Sequence, residues 1–293
     1  MSADASDLAS GKDHRDENFP VASVLIAPRH RPLVLAFYRV ARMADDIADH
    51  PSAGAADKLE RLAAIEATLL GRDDAVAPAA NLRRLQDERG LSRQHILDLI
   101  EAFRRDVVKT RYADWDELMD YCRYSAAPVG RFVLDVHGES ADLWPASDAL
   151  CAALQVINHL QDCGEDFRDL DRVYVPLDAL TAAGLEVGAL GGREASPALR
   201  GVIAGLAART QVLLAEAAPL SGAVRDTRLA LEIGVIHALA ASLARRLRVR
   251  DPLAGGVHHR PWEAFGVALA GAGATAVSRL GLGGRARLGH ARP

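Results

Sequence analysis

The sequence is short of several things. Aromatic residues are only 5% of its 293 positions, and runs of alternating β-branched residues are nearly absent, which argues against a sheet-based fold. Its three cysteines, Cys122, Cys151 and Cys163, are odd in number and show no C-x-x-C spacing, so neither a disulfide framework nor a zinc site is indicated and a reducing compartment fits. Basic residues do not exceed acidic ones (35 against 39), which leaves no bulk charge to hold nucleic acid. The opening Met1 to Lys12 is polar and lacks an apolar core, so export by a signal peptide is not expected. The Ala/Gly-rich run Ala264–Val277, the best candidate for a membrane span, is closed by Arg279 and reads as too short to span about 30 Å of hydrocarbon. P-loop, nucleophile-elbow and H-E-x-x-H motifs are missing, and the C-terminal G-L-G-G-R-A-R-L-G follows no strand.

What is present is Ala, Leu, Arg and Glu in helical spacing. Apolar positions three and four apart predict helices over about 32–50, 55–70, 92–110, 114–137, 147–169, 196–218, 225–248 and 260–279. Pro51 stops the first, and Ser147 and Asp148 suit a helix start. The stretch from Ala183 to Pro197 reads as a loop joining two halves of one domain. The expectation is all-α, with a frayed N-terminus (1–16), one helical domain (17–279) and a flexible tail (280–293).

Chemistry concentrates in two places. In the segment 38–49, Asp45 and Asp49 are four apart and so stack on one helical face, with Arg42 and Tyr38 one and two turns earlier. In the segment 155–169, Asn158, Asp162, Asp166 and Asp169 share a stripe with Gln155. Carboxylates four apart repel one another, so a helix bearing such a pair within an apolar pattern needs a compensating partner. A divalent cation is the simplest; Mg²⁺ takes one or two carboxylates and completes its shell with water and phosphate oxygens. A lone D-D-x-x-D is most often a solvated face or capping cluster. Two, each flanked by residues able to bind phosphate or metal, point to opposed helices gripping Mg²⁺ and a diphosphate. Elsewhere the alternating charges Glu101, Arg104, Arg105, Asp106, Lys109 and Arg111 read as a solvated face.

These motifs resemble the head-to-head prenyl-diphosphate synthases, the squalene/phytoene synthase family. The resemblance runs from about Glu17 to His259 and is carried by E-N-F-P-V-A-S at 17–23, D-D-I-A-D at 45–49, Y-C-R-Y-S-A-A-P-V-G at 121–130 and N-H-L-Q-D-C-G-E-D-F-R-D-L-D-R-V-Y-V-P at 158–176. The phrasing is most similar to a bacterial hopanoid-pathway branch that consumes presqualene diphosphate. The resemblance implies an isoprenoid-synthase helical bundle around a central apolar cavity. It implies two or three Mg²⁺ ions held by Asp45, Asp49, Asp162, Asp166 and Asn158, and diphosphate contacts from Arg42, Arg172, Tyr174 and Asn18. Tyr38, Tyr124, Asn158 and Gln161 are implied near the chemistry; Gln161 stands where many relatives carry Arg and is expected to present an amide to water. The substrate implied is a C30 prenyl diphosphate, ionised in a tunnel and captured by water without NADPH, giving hydroxysqualene and diphosphate. A cytoplasmic enzyme is expected, peripheral on the inner face of the membrane and near other hopanoid-pathway enzymes. The rivals are condensation of two prenyl diphosphates to presqualene diphosphate, squalene or phytoene, an all-α Mg²⁺-dependent nucleotide phosphohydrolase, and a non-catalytic lipid-binding protein on the same scaffold.

Overall fold

The computed structural model describes residues 27–288, with side chains described as far as 281. The frayed segment expected at 1–16 and the assigned Asn18 lie outside the described residues. Helix α1 (Arg31–Asp49) begins with Pro32 in its first turn, where a missing N–H costs nothing, and ends before Pro51. Helices α2 (Ala55–Leu69), α3 (Ala77–Asp87) and α4 (Gln94–Val108) pack around it. Leu33, Val40, Ile47, Leu62, Ile65, Leu82, Ile96 and Ile100 build the core they share. The spacing reading has no α3, although Pro78 followed by Leu82 and Leu85 is a legible helix start.

Two predicted helices are each broken. The stretch 114–137 is α5 (Trp115–Ser125) and α6 (Ala127–Val136), because Pro128 disfavours helical backbone before it and has no N–H to continue the ladder. The stretch 147–169 is α7 (Trp144–Gln161) and α8 (Cys163–Leu170), with the break at Asp162. The Asp166 N–H still bonds the Asp162 carbonyl at 2.8 Å, so the two acids keep a one-turn spacing across the break. The expected loop 183–197 holds a 3₁₀ turn (Val187–Gly191) after the short α9 (Leu177–Ala182). The second half is α10 (Pro197–Ala217), α11 (Leu220–Ala223), α12 (Thr227–Leu247), α13 (Pro252–Gly255) and α14 (Pro261–Leu288). A second core gathers α5, α7, α10 and α12 around Leu118, Ile157, Ile203 and Leu243.

The last helix corrects two expectations. It runs on to Leu288, beyond the tail boundary placed at 280. Its Pro261–Gly281 stretch of 21 residues is, by length and composition, one of three described helices able to cross a membrane, with Pro197–Ala223 and Thr227–Leu247. α14 lies on α12 through a glycine-to-glycine approach. A Cβ on Gly271 would stand 2.6 Å from the Gly234 carbonyl oxygen and 2.7 Å from Ala238 Cβ. Gly271→Ala is therefore expected to destabilise the protein by about 1–3 kcal/mol through overpacking. Gly273→Ala, with nothing within 4 Å, is expected to stabilise it by about 0.5–1 kcal/mol. Urea-denaturation midpoints of the two variants check the contrast.

Candidate active site

The site forms where the C-terminal half of α1 meets the segment around α8. Helix α8 ends at Asp171, whose left-handed backbone (φ 50°) turns the chain back toward α1. Arg111 steadies that turn by bonding both the carbonyl and the carboxylate of Asp171. The next residue, Arg172, is 7% exposed and donates from Nη1 to Asp49 Oδ1 at 2.5 Å and from Nη2 to the Ala48 carbonyl at 3.3 Å. Lys58 Nζ donates to the same carbonyl at 2.8 Å. Asp49 sits at the C-terminal end of α1, where the helix dipole disfavours an acid, and these two cations offset that. Lys58 had no signal in the sequence beyond its charge.

Negative charge is crowded here beyond what its cations balance. Arg42 pairs with both Asp45 and Asp46, each at 2.9 Å. Even so, burial and then the neighbouring Asp49 push the Asp45 carboxyl up to about 7. Across the gap, burial and then Asp162 raise Asp166 to about 7, with Asp49 adding to the repulsion. Asp49 acts on both acids, so the two motifs face one another. Burial discourages charge on Arg172, but Tyr174, Asp49 and Asp106 more than offset it and hold the guanidinium ionised. Asp169, expected on the same stripe, is exposed in the last turn of α8, beyond the break at Asp162.

Asp106 corrects the solvated-face reading. It is 6% exposed, and its carboxylate accepts from the Tyr121 hydroxyl at 2.7 Å and the Tyr174 hydroxyl at 3.1 Å. Burial raises it to about 6, against the pull of Arg172. Its neighbours Arg104, Arg105 and Lys109 do form ion pairs, with Glu66, Glu101 and Glu117; within this charged run Asp106 is the residue that is buried, beside the face of Leu99 and Ala102. Tyr174, assigned to the diphosphate, thus spends its hydroxyl on Asp106, and its ring stacks on His159 at 3.6 Å. Tyr124 lies under the Arg105 guanidinium, 3.9 Å from its ring centroid, so that ring face is covered. The Gln161 amide nitrogen donates to the Val257 carbonyl at 2.6 Å and meets His258 Nδ1 at 3.2 Å, so it ties α7 to the segment before α14 rather than reaching out to water. Gln161 Oε1 and Asn158 Oδ1 are buried with no hydrogen-bond partner among the described residues.

Among the described residues, no three His, Cys, Asp or Glu side chains converge as a ready metal cage. The donors are oxygens only, carboxylate pairs one turn apart plus the unsatisfied Asn158 Oδ1, with carboxyls held up by mutual repulsion. This set fits a hard cation that completes its shell with water and phosphate oxygens.

One turn before Arg42, α1 turns from acid to grease. Phe37, Tyr38 and Ala41 line a cavity of about 270 Å³ whose other walls come from α6, α7, α11 and α12, including Phe132, Leu150, Leu154 and Ile236. Phe37 and Phe132 stack at 3.9 Å, packing partners that also form the wall. The acidic cluster thus lies about one turn along α1 from an apolar cavity.

Fold and site define an all-α bundle built to hold an anionic head at one end of an apolar chain. Residues 12–263 match the squalene/phytoene synthase family model. A hydroxysqualene synthase of Rhodopseudomonas palustris is 56% identical over 279 residues, 95% of each chain, and one of Zymomonas mobilis is 51% identical over 92% of this chain and 91% of its own. Among solved structures, the squalene synthase HpnC of Alicyclobacillus acidocaldarius superposes with a TM-score of 0.71 at 33% identity, covering 83% of this chain and 91% of that one. A dehydrosqualene synthase, 20% identical, shares the fold with a TM-score of 0.72. The chain belongs to the squalene/phytoene synthase family.

His159, 8% exposed behind Tyr174, gives this region a pH signature. Burial and then Arg172 lower it to about 3 from the usual 6.5. The unfolded chain therefore binds the extra proton first. Stability from the neutral ring is complete above pH 6.5 and is lost as pH falls toward 3, by about 1.4 kcal/mol per unit within that window. Urea midpoints measured from pH 7 to 4.5 are expected to fall more steeply for the wild type than for His159→Phe.

Proposed function

We propose that this enzyme ionises presqualene diphosphate and captures the rearranged cation with water, giving hydroxysqualene and diphosphate. The observation that carries this is the facing pair of acidic motifs, one turn along α1 from the apolar cavity, together with the high identity to hydroxysqualene synthases over nearly the whole chain. In this reading Asp45, Asp49, Asp162, Asp166 and Asn158 hold Mg²⁺. Bound there, the ion would neutralise the diphosphate and make it a competent leaving group. Arg42, already shared between Asp45 and Asp46, and Arg172, held against Asp49, supply fixed positive charge to the departing anion. Tyr174 acts one step back, by fixing Asp106 beside Arg172. Tyr38, which lines the cavity one turn before Arg42, would stand in this reading between the anionic head and the cation. The bore keeps bulk water from the cation until it has rearranged.

Purified protein given presqualene diphosphate and Mg²⁺ without NADPH is expected to release hydroxysqualene and diphosphate. Farnesyl diphosphate alone is expected to give no product, and condensation products from it would favour the presqualene-forming reading. EDTA is expected to stop turnover and Mg²⁺ to restore it. Asp45→Ala with Asp162→Ala is expected to lower diphosphate release at least about 100-fold, on the scale of losing one charge-stabilising group. Unchanged release would refute metal-dependent ionisation.

The same reading places the protein on the membrane from which a C30 lipid would arrive. In support, α14 exposes Trp262, Phe265, Leu269, Val277 and Leu280, each at least 65% accessible, within an arc of about 120°. Gly271 and Thr275, on the opposite side, are buried. After Glu263 the sequence has no acid and four arginines, a pattern suited to an anionic lipid surface. Vesicles containing phosphatidylglycerol are expected to co-sediment the protein and blue-shift tryptophan emission. Trp262→Ser with Phe265→Ser is expected to abolish both effects while sparing turnover of detergent-dispersed substrate.

A further inference from the structure

The apolar cavity contains one group that does not belong in a hydrocarbon wall. Glu232, on α12, is 5% exposed and lines the bore alongside Leu229, Ile233 and Ile236 of its own helix. The other walls include Phe37, Leu150 and Leu154, and among the described residues no other that lines the cavity carries a carboxyl group. The remaining polar side chains there are Tyr38, Ser147 and Cys151. Ser147 bonds the Cys151 thiol, and both press on Gly130, where an added Cβ would come within 2.4 Å of Ser147 Oγ and 2.6 Å of Cys151 Sγ. That contact is packing between α6 and α7. Glu232 is different: burying a carboxyl costs stability that leucine or methionine would not, and its place in the wall faces the space a prenyl chain would fill.

We propose that Glu232 is the catalytic base that holds and deprotonates the attacking water, and so decides that the reaction ends in an alcohol. This rests on the water-capture reaction proposed above. The carbon–oxygen bond to diphosphate breaks, and its electron pair leaves with the diphosphate. After the cyclopropylcarbinyl cation rearranges, a lone pair of one water molecule forms the new carbon–oxygen bond. The resulting oxonium must lose a proton. In a bore lined by leucine, isoleucine, valine and phenylalanine, the Glu232 carboxylate is placed to take it, and the proton then passes to solvent as product leaves. The same carboxylate, by accepting a hydrogen bond from the water beforehand, turns an oxygen lone pair toward the cation. Its negative charge also draws the cation to that end of the wall.

The test is the partition of products from presqualene diphosphate with Mg²⁺. The wild type is run first. If it makes no hydroxysqualene, the reaction proposed above fails and Glu232 has no water to activate. Given that product, Glu232→Gln is expected to cut the share of hydroxysqualene per diphosphate released by about 10- to 100-fold, within the range of a lost general base. Diphosphate release itself should fall by far less, and the missing flux should appear as hydrocarbons formed by proton loss or as isomeric alcohols. Glu232→Met fills the wall without polar atoms and is expected to fold even if the glutamine variant does not; it should show the same shift. A wild-type share of hydroxysqualene in either folded variant would overturn the proposal. So would a parallel fall of release and product at constant share, because that would place Glu232 in ionisation or packing.

Discussion

A short ion pair joins two parts of the chain that are 123 residues apart. Arg172 reaches from the turn after α8 to Asp49 at the end of α1, and around that bond the bundle has gathered Asp45, Asp46, Asp106, Asp162 and Asp166. Charges of one sign brought together in a partly dry space cost free energy, and the structure shows where: Asp45 and Asp166 are each held near neutral pH by burial and by their neighbours. A helix end that merely needed capping would not collect so many acids. The excess is what the Mg²⁺ and diphosphate of the proposed reaction would balance.

A second layer holds the first in place. Tyr121 and Tyr174 donate to Asp106, His159 stacks on Tyr174, and Lys58 caps the Ala48 carbonyl near the end of α1. These buried polar groups point Arg172 at α1 instead of at solvent. They act by position, and the reacting molecule need never touch them. Gln161, the last residue of α7, works in the same way by fastening Val257 and the approach to α14.

The bore follows from the same helices. On α1, residues one turn apart pass from Asp45 and Arg42 to Ala41 and Tyr38 and then to Phe37 and Val34, so one helix carries both the anionic grip and the first stretch of greasy wall. Close approach at Gly130 on one side, and at Gly234 and Gly271 on another, sets how tightly the helices can draw together. Glu232 stands out against this wall because the other lining residues are apolar, small or neutral.

Much of this was legible in the residue order. Helical spacing gave the all-α class, and Asp45, Asp49, Asp162 and Asp166 announced themselves because carboxylates one turn apart within an apolar pattern repel unless something compensates them. The motif phrasing pointed to the family to which the chain belongs. Tertiary packing decided the rest. Asp106 sits in a run of alternating charges, and nothing in that run says which turn faces inward; only α4 lying against α5 and the segment after α8 buries it. The break at Asp162 and the left-handed Asp171 redirect Arg172, a change of direction that periodicity cannot express. Glu232 is one acid in an ordinary amphipathic helix until α1, α6 and α7 close around it. Local spacing determines which side chains share a face, but what lies opposite that face depends on residues a hundred positions away.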